Sequence, residues 1–439
     1  MMNSIIIQNR LTKSLENRVH LLIYIYILMA PFQNLGLKFI GINFGPSELI
    51  FLVLTPFAII YVINSKKKLL INKLDLCVFL WFITNIIAGW HAKFDTIVMT
   101  EIIKVSYLSM LYIMIKWSIT ELIFARIVKT IILSSIIAAL TGIIGFVLAH
   151  FSIDSLLIIK RVFPYGFEYI TQAKGFTASP NMLASMIMIG ILFQIQTLKM
   201  NDFNFSAKDL SFLIILVIGF ALTFSKTIMC LLIGIILVIN NKSNKYSLWR
   251  LVNKICVIVL LIFYFLGTHF IIINKDQNIE NLKGDYIAGS KLLETANYSI
   301  YPSQYWSLKI ISFSAISQSF PVGLGPGKFN DYAHYLKKNY SYPLHVPYPD
   351  PHSTYLGVFA ETGLIGIGVL LITIITLIKY CIRILSAYNQ SLFIFSCLPI
   401  IFLVIGIEAI STDIMNFKHY WILLILLSEI FNNLNTSSG

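Results

Sequence analysis

Apolar runs close to 20 residues recur along almost the whole chain, and they restrict the possible folds more than any other feature. Wound as an α-helix, a run of that length spans the hydrocarbon layer of a bilayer. Only helices or closed barrels satisfy every backbone group there. About twelve runs are legible, near residues 19–36, 46–64, 75–92, 97–115, 128–149, 181–197, 209–224, 227–241, 255–274, 362–379, 392–410 and 418–434. The expected fold class is an all-α polytopic membrane protein with about 12 transmembrane helices. Composition agrees: 57% of residues are hydrophobic and 12% charged, against about 25% charged in a soluble domain. No cleavable leader is expected, because the first run is followed by further spans and by no small-residue cleavage site.

The net charge of +13 is spread between the spans rather than gathered on one face. That excludes a nucleic-acid surface and fits positive-inside bias with attraction to anionic lipid headgroups. The short loops on the N-terminal side hold more Lys and Arg, so both termini are expected in the cytoplasm. The five cysteines fall in or beside apolar runs and read as packing residues. Two outer segments, near 150–180 and 275–361, are too long for simple turns. The second holds ten of the 22 tyrosines and Trp306, whereas disordered segments are poor in aromatics. The expected division is spans 1–9 in 1–274, a partly helical outer loop in 275–361, and spans 10–12 in 362–439.

Where that loop re-enters an apolar run, the chain reads Pro351-His352-Ser353-Thr354-Tyr355, followed by Glu361-Thr362-Gly363 and Gly366. His352 is the catalytic candidate. Taken as one helix from His352, the segment sets Gly363 about 20° and Gly366 about 40° from the histidine direction. Glu361 then points away, and Asp350 is the nearer acid. The alternative is an interfacial histidine beside a helix cap supplied by Ser353 or Thr354. Gly323-Leu324-Gly325-Pro326-Gly327-Lys328-Phe329 is not a P-loop, because its glycine spacing is wrong and no Ser or Thr follows the lysine. It reads as a tight turn between two loop helices, or as backbone that approaches a bound chain or an anion. Lys160, Arg161, Lys174 and Lys226 place cations around one outer mouth, a pattern suited to a pyrophosphate. Pro180 and Ser179 mark a helix start. Glu101 and Lys104 form a candidate intramembrane pair. No metal-ligand spacing is visible on the outer side.

At these residues the chain resembles the O-antigen ligase/polymerase superfamily of bacterial polysaccharide assembly. The matching features are His352-Ser353 followed by Gly363 and Gly366, the glycine turn from Pro321 to Phe329 downstream of Trp306, and the helix start Gly175 to Ala184. The resemblance implies a multi-pass inner-membrane glycosyltransferase whose active site faces the periplasm. It would move a glycan from undecaprenyl pyrophosphate to an acceptor, without metal or other cofactor. His352 would orient or deprotonate the acceptor hydroxyl. Cations would hold the leaving group, with Lys226, Lys174 and Arg161 as candidates, and Tyr355, Trp306, Gly325 and Gly327 complete the expected binding set. Family members commonly carry Arg where this chain has Lys226, and another Arg before the Trp, where Tyr301 to Tyr305 has none. Lysine supplies the charge but not the bidentate fork.

The expected activity is a repeat-unit polymerase of O-antigen or capsule, whose acceptor is the next lipid-linked unit. The alternative is a ligase whose acceptor is lipid A–core. A third reading, a polysaccharide transporter or flippase, would need midplane charges, and only Lys104, Glu101 and Glu408 offer them. A chain-length regulator is an expected partner of a polymerase, and nucleic acid is not.

Overall fold

The computed structural model describes residues 2–39, 42–65, 70–161, 170–240, 247–274, 291–340, 349–386 and 395–436. In chain order the helices are α1 (Met2–Met29), α2 (Pro46–Ser65), α3 (Lys73–His91), α4 (Thr96–Ser118), α5 (Phe124–His150), α6 (Pro180–Met200), α7 (Ala207–Ala221), α8 (Ile228–Asn240), α9 (Ser247–His269), α10 (Gln304–Ser319), α11 (Phe329–Tyr340), α12 (Thr354–Ser386), α13 (Leu398–Glu408) and α14 (Lys418–Thr436). Each of the twelve expected spans falls on a helix. Among the described residues seven helices are long and apolar enough to cross a membrane: α2, α3, α4, α5 with the short turn before it, α6, α9 and α12. Helices α7, α8 and α13 are shorter, with 15, 13 and 11 residues. The chain is an all-α polytopic membrane protein.

Local chemistry sets the helix starts. The Asn72 side chain accepts from the N–H groups of Leu74 and Asp75, and the Asp75 carboxylate accepts from the Asn72 N–H. This capping box opens α3. Ser179 Oγ accepts from the Met182 N–H, with Pro180 in the first helical position of α6. Helix α6 is the centre of the bundle. Every side chain from Met182 to Gln196 is buried, against α5, α7 and α8. Backbones approach closely there: a Cβ at Gly190 would lie 2.4 Å from Ser135 Cβ. The outer faces of α2, α9 and α12 instead expose Leu, Ile and Phe, as lipid contact requires.

One end of the bundle gathers the described segments 30–39, 42–45, 92–95, 151–161, 170–179, 222–227, 270–274, 291–340, 349–353 and 409–417; we call it the loop end. Cross-contacts bind these segments together. The Asn34 N–H donates to the Phe176 carbonyl, the Ala173 N–H to the Leu222 carbonyl, and the Thr354 N–H to the Ala409 carbonyl. The loop end also holds three small antiparallel sheets that the sequence reading did not anticipate: β1 (Leu37–Phe39) with β2 (Ile42–Phe44), β3 (Ile158–Arg161) with β4 (Ile170–Ala173), and β5 (Phe270–Asn274) with β7 (Tyr298–Pro302), which also pairs β6 (Leu293–Glu294). Their strands have two to five residues, too short for a period-2 pattern to stand out in so apolar a chain. The β5–β7 pairing matters most. It continues α9 past its end and then brings the chain back to it.

Candidate active site

A helix C-terminus presents unpaired carbonyls and a partial negative charge. At the end of α9 two lysines answer it. Lys226, in the turn between α7 and α8, brings Nζ to 3.4 Å from the Thr268 carbonyl. Lys309, on α10, donates to His269 Nε2. His269 Nδ1 lies 2.8 Å from the Phe265 carbonyl. The consistent tautomer donates from Nδ1 and accepts the Lys309 ammonium at Nε2. Burial pushes Lys309 down to about 8.

The strand return places α10 beside this cluster. The Ser303 N–H donates to the His269 carbonyl at 2.8 Å, and Ser303 Oγ donates to the Thr268 carbonyl at 2.7 Å. The first turn of α10 therefore lies against the end of α9, carrying Tyr305 and Trp306. Trp306 stands edge-on to His269, with ring centroids 6.0 Å apart, and tilts over Phe270 at 5.9 Å. Its indole remains 38% exposed.

His352 arrives from the other side. Its φ of +42° is left-handed, which non-glycine residues seldom adopt. Asp350 holds it there: Asp350 Oδ1 accepts the His352 N–H at 2.7 Å and faces ring Nδ1 at 2.9 Å. Burial alone would raise the Asp350 carboxyl, but the adjoining imidazole and these hydrogen bonds hold it below the usual carboxylate range. The His352 ring lies 4.6 Å from the Tyr305 ring, and Lys226 Nζ is 4.0 Å from the centroid of the same Tyr305 ring. Tyr305 is thus the common contact of the histidine and the cation.

The single helix expected from His352 to Gly366 does not form. Helix α12 begins at Thr354, capped by Ser353, whose Oγ accepts the Leu356 N–H at 3.5 Å. Gly363 then breaks it with φ +65° and ψ −156°. Helical angles counted from His352 consequently carry no meaning beyond this bend. The bend frees the carbonyls of Ala360 and Glu361, and the glycine turn takes them. Leu324 N–H donates to Ala360 at 2.8 Å, Gly325 N–H to Glu361 at 2.9 Å, and in return Leu364 N–H donates to the Pro321 carbonyl at 2.7 Å. The turn joins α10 to α11, as the tight-turn reading expected. The open side of Gly325 faces Ala92 and that of Gly327 faces Glu101, where an added Cβ would come within 2.3 and 2.6 Å. Both glycines pack against the bundle.

The other expected residues are placed as follows. The Tyr355 hydroxyl donates to the Gly406 carbonyl at 2.7 Å, fastening α12 to α13. Lys174 follows β4, which runs beside the α7–α8 turn, and burial lowers its ammonium. Arg161 ends β3, and its side chain lies outside the described residues. Lys104 pairs with Glu101 at 2.5 Å.

Beneath Lys226 sits a network around Glu408, which the sequence offered only as a midplane charge and did not join to the Lys226 turn. Glu408, fully buried at the end of α13, accepts from Ser185 Oγ, from Thr227 Oγ1 at 3.2 Å and from the Tyr420 hydroxyl at 2.6 Å. Ser225 Oγ donates to Asn181 Oδ1 at 2.9 Å. The residues on both sides of Lys226 are thereby fixed to α6, α13 and α14. Lys309 and His269 were missed. A legible signal existed for Lys309: it lies three residues after Trp306, on the same side of a helix.

Residues 211–371 match the family model for O-antigen ligase. The resemblance to the O-antigen ligase/polymerase superfamily holds. The matched O-antigen ligase segment runs from α7 to just beyond the bend of α12, and Lys226, His269, Tyr305, Lys309, Asp350 and His352 all lie within it. No curated protein matches the chain.

Proposed function

We propose that the loop end faces the periplasm of the inner membrane and transfers a glycan from undecaprenyl pyrophosphate to an acceptor hydroxyl, as a repeat-unit polymerase. The observation that carries this reading is the contact series Asp350–His352–Tyr305–Lys226, with Lys309 and His269 alongside. Asp350 takes Nδ1–H and leaves Nε2 as the base. Nε2 removes the acceptor proton as the acceptor oxygen bonds to the anomeric carbon. The bond from that carbon to the pyrophosphate oxygen breaks, and Lys226 and Lys309 offset the charge that develops on the leaving group. The proton stays on the imidazole, whose positive charge Asp350 balances. Trp306 and Tyr305 offer faces for the sugar.

Ligation to lipid A–core is the second reading, favoured by the description of the matching family model. The glycan profile of a deletion strain on a gel separates the two. Core bearing one repeat is the result expected for a missing polymerase. Unmodified core with accumulated lipid-linked polymer would assign a ligase. His352→Ala, inserted at wild-type level, should lower transfer by about 10²–10⁴-fold. Wild-type chain length from that variant would sink the catalytic assignment.

A further inference from the structure

Helix α10 is apolar on two opposite faces. Its inner face, with Leu308, Ile311 and Ala315, packs with Phe329 and Ala333 of α11 and Ala360 of α12. At about 100° per residue, Trp306, Ile310, Phe313, Ser317 and Phe320 fall within about 40° of one outward direction. Trp306, Ile310, Phe313 and Phe320 are 38%, 45%, 61% and 60% exposed. The helix carries one charged residue, Lys309, which lies on the flank of this stripe and turns to His269. A helix that is apolar all round needs a second apolar partner. Helix α11 shows the contrast: it exposes Asp331, His334, Lys337 and Lys338, as contact with water favours.

We infer that α10 lies along the loop-side surface of the bilayer, with Trp306, Ile310, Phe313 and Phe320 set among the phospholipids of that leaflet. The two ends of the stripe assign the occupant. At the first end, the Ser303 N–H and Oγ hold α10 to the end of α9. Phe265, exposed on α9, stacks on His269 with ring centroids 4.4 Å apart, and His269 meets Trp306. At the other end, the Pro321 carbonyl, next to Phe320, accepts the Leu364 N–H, where α12 exposes Leu364 and Ile365. The stripe thus begins and finishes beside lipid-facing residues of two spans. The 16 residues of α10 bridge the interval, about 24 Å at helical rise. The lipid that covers those spans therefore continues over α10. Interfacial helices seat an apolar face about 5–10 Å into the headgroup boundary, and tryptophan favours that level. The placement stands independently of transferase activity. Its bearing on the site is positional: Lys309 rides on the flank of α10, so the leaflet sets the depth of that cation.

The test uses full-length protein in phosphatidylethanolamine/phosphatidylglycerol vesicles. The photoreactive residue p-benzoylphenylalanine replaces Phe313, Phe320, Phe263 or Lys337, one at a time. Phe263, exposed on α9, is the lipid control, and Lys337 of α11 is the water control. After ultraviolet irradiation, intact-protein mass spectrometry reads adducts of phospholipid mass. Lipid adducts at Phe313 and Phe320 should approach the yield at Phe263 and exceed that at Lys337 by about 10-fold. Both positions are aromatic and exposed, so either variant decides alone if the other fails to insert. A yield no higher than at Lys337 overturns the placement. A crosslinked dimer in place of the lipid adduct also overturns it, and gives the stripe to a second copy of the chain. The same variants irradiated in intact cells should again carry lipid. A protein adduct displacing the lipid there gives the stripe to a partner protein and overturns the placement.

Discussion

At the scale of single residues, the lysine that closes on His269 makes the sharpest prediction. Lys309 lies outside the spans and is pushed down to about 8 by burial. Its ammonium is therefore present at neutral pH and lost as pH rises through that value. If it offsets leaving-group charge, transfer should decline on the alkaline side near pH 8. Arginine does not deprotonate in this range, so Lys309→Arg should extend activity to higher pH, and Lys309→Ala should lower it about 10²-fold. A pH–rate profile of the arginine variant identical to wild type would remove Lys309 from the chemistry. Asp413 gives an independent stability test. Burial first, then the charges of Asp350 and Glu101, raise it from 3.8 to about 6. A raised carboxyl binds its proton more tightly in the folded state. Its contribution is complete below pH 3.8 and is lost as pH climbs through about 6. Asp413→Asn should flatten the fall in thermal stability between those values, read by thermal unfolding from pH 4 to 7. His352 was legible from its place at a loop–span junction. Tyr305 was not, because nothing in its neighbourhood distinguishes it from the nine other loop tyrosines until the β5–β7 pairing folds it back onto α9.

At the scale of elements, the bend of α12 and the glycine turn are one construction. A Cβ at Gly363 would lie 2.2 Å from the Pro321 carbonyl oxygen, and φ +65° is itself unfavourable for any other residue. Gly363→Ala should therefore detach the turn from the bend. The expected outcome is faster proteolysis between α10 and α11, with the spans still inserted. A variant as protease-resistant as wild type would show that the turn is held elsewhere. The glycines were visible in the sequence as a possible substrate-facing backbone. Their role in filling the gap at a broken helix was not, because the i+11 spacing to Gly363 looks the same whether the helix is continuous or bent. The span-forming runs, by contrast, were readable as helices, because hydropathy is a local property. Boundaries moved where charged residues join a helix: α1 extends back through Arg10 and Lys13 to Met2, well before its apolar run begins.

At the scale of the whole molecule, the alternation of helix ends places Met2 of α1 and Thr436 of α14 at the end opposite the loops. Tags at both termini should react from the same face of intact membranes, and a cysteine in place of Lys291 should label with an impermeant maleimide from the other. Labelling of both positions from one face would overturn the span count. The short helices have a broader consequence. With 13 and 11 residues, α8 and α13 rise about 20 and 17 Å, against about 30 Å of hydrocarbon. Both finish at the site, one at the Lys226 turn and the other at Glu408. Aligned with their neighbours at the end away from the loops, helices this short would stop about 10 Å short of the loop-side membrane surface and leave a dimple there. A bilayer thins to follow such a mismatch. A phosphate-bearing headgroup drifting in the outer leaflet would then meet the lysines at its own depth, and the molecule would work on lipid that never has to be lifted from the membrane.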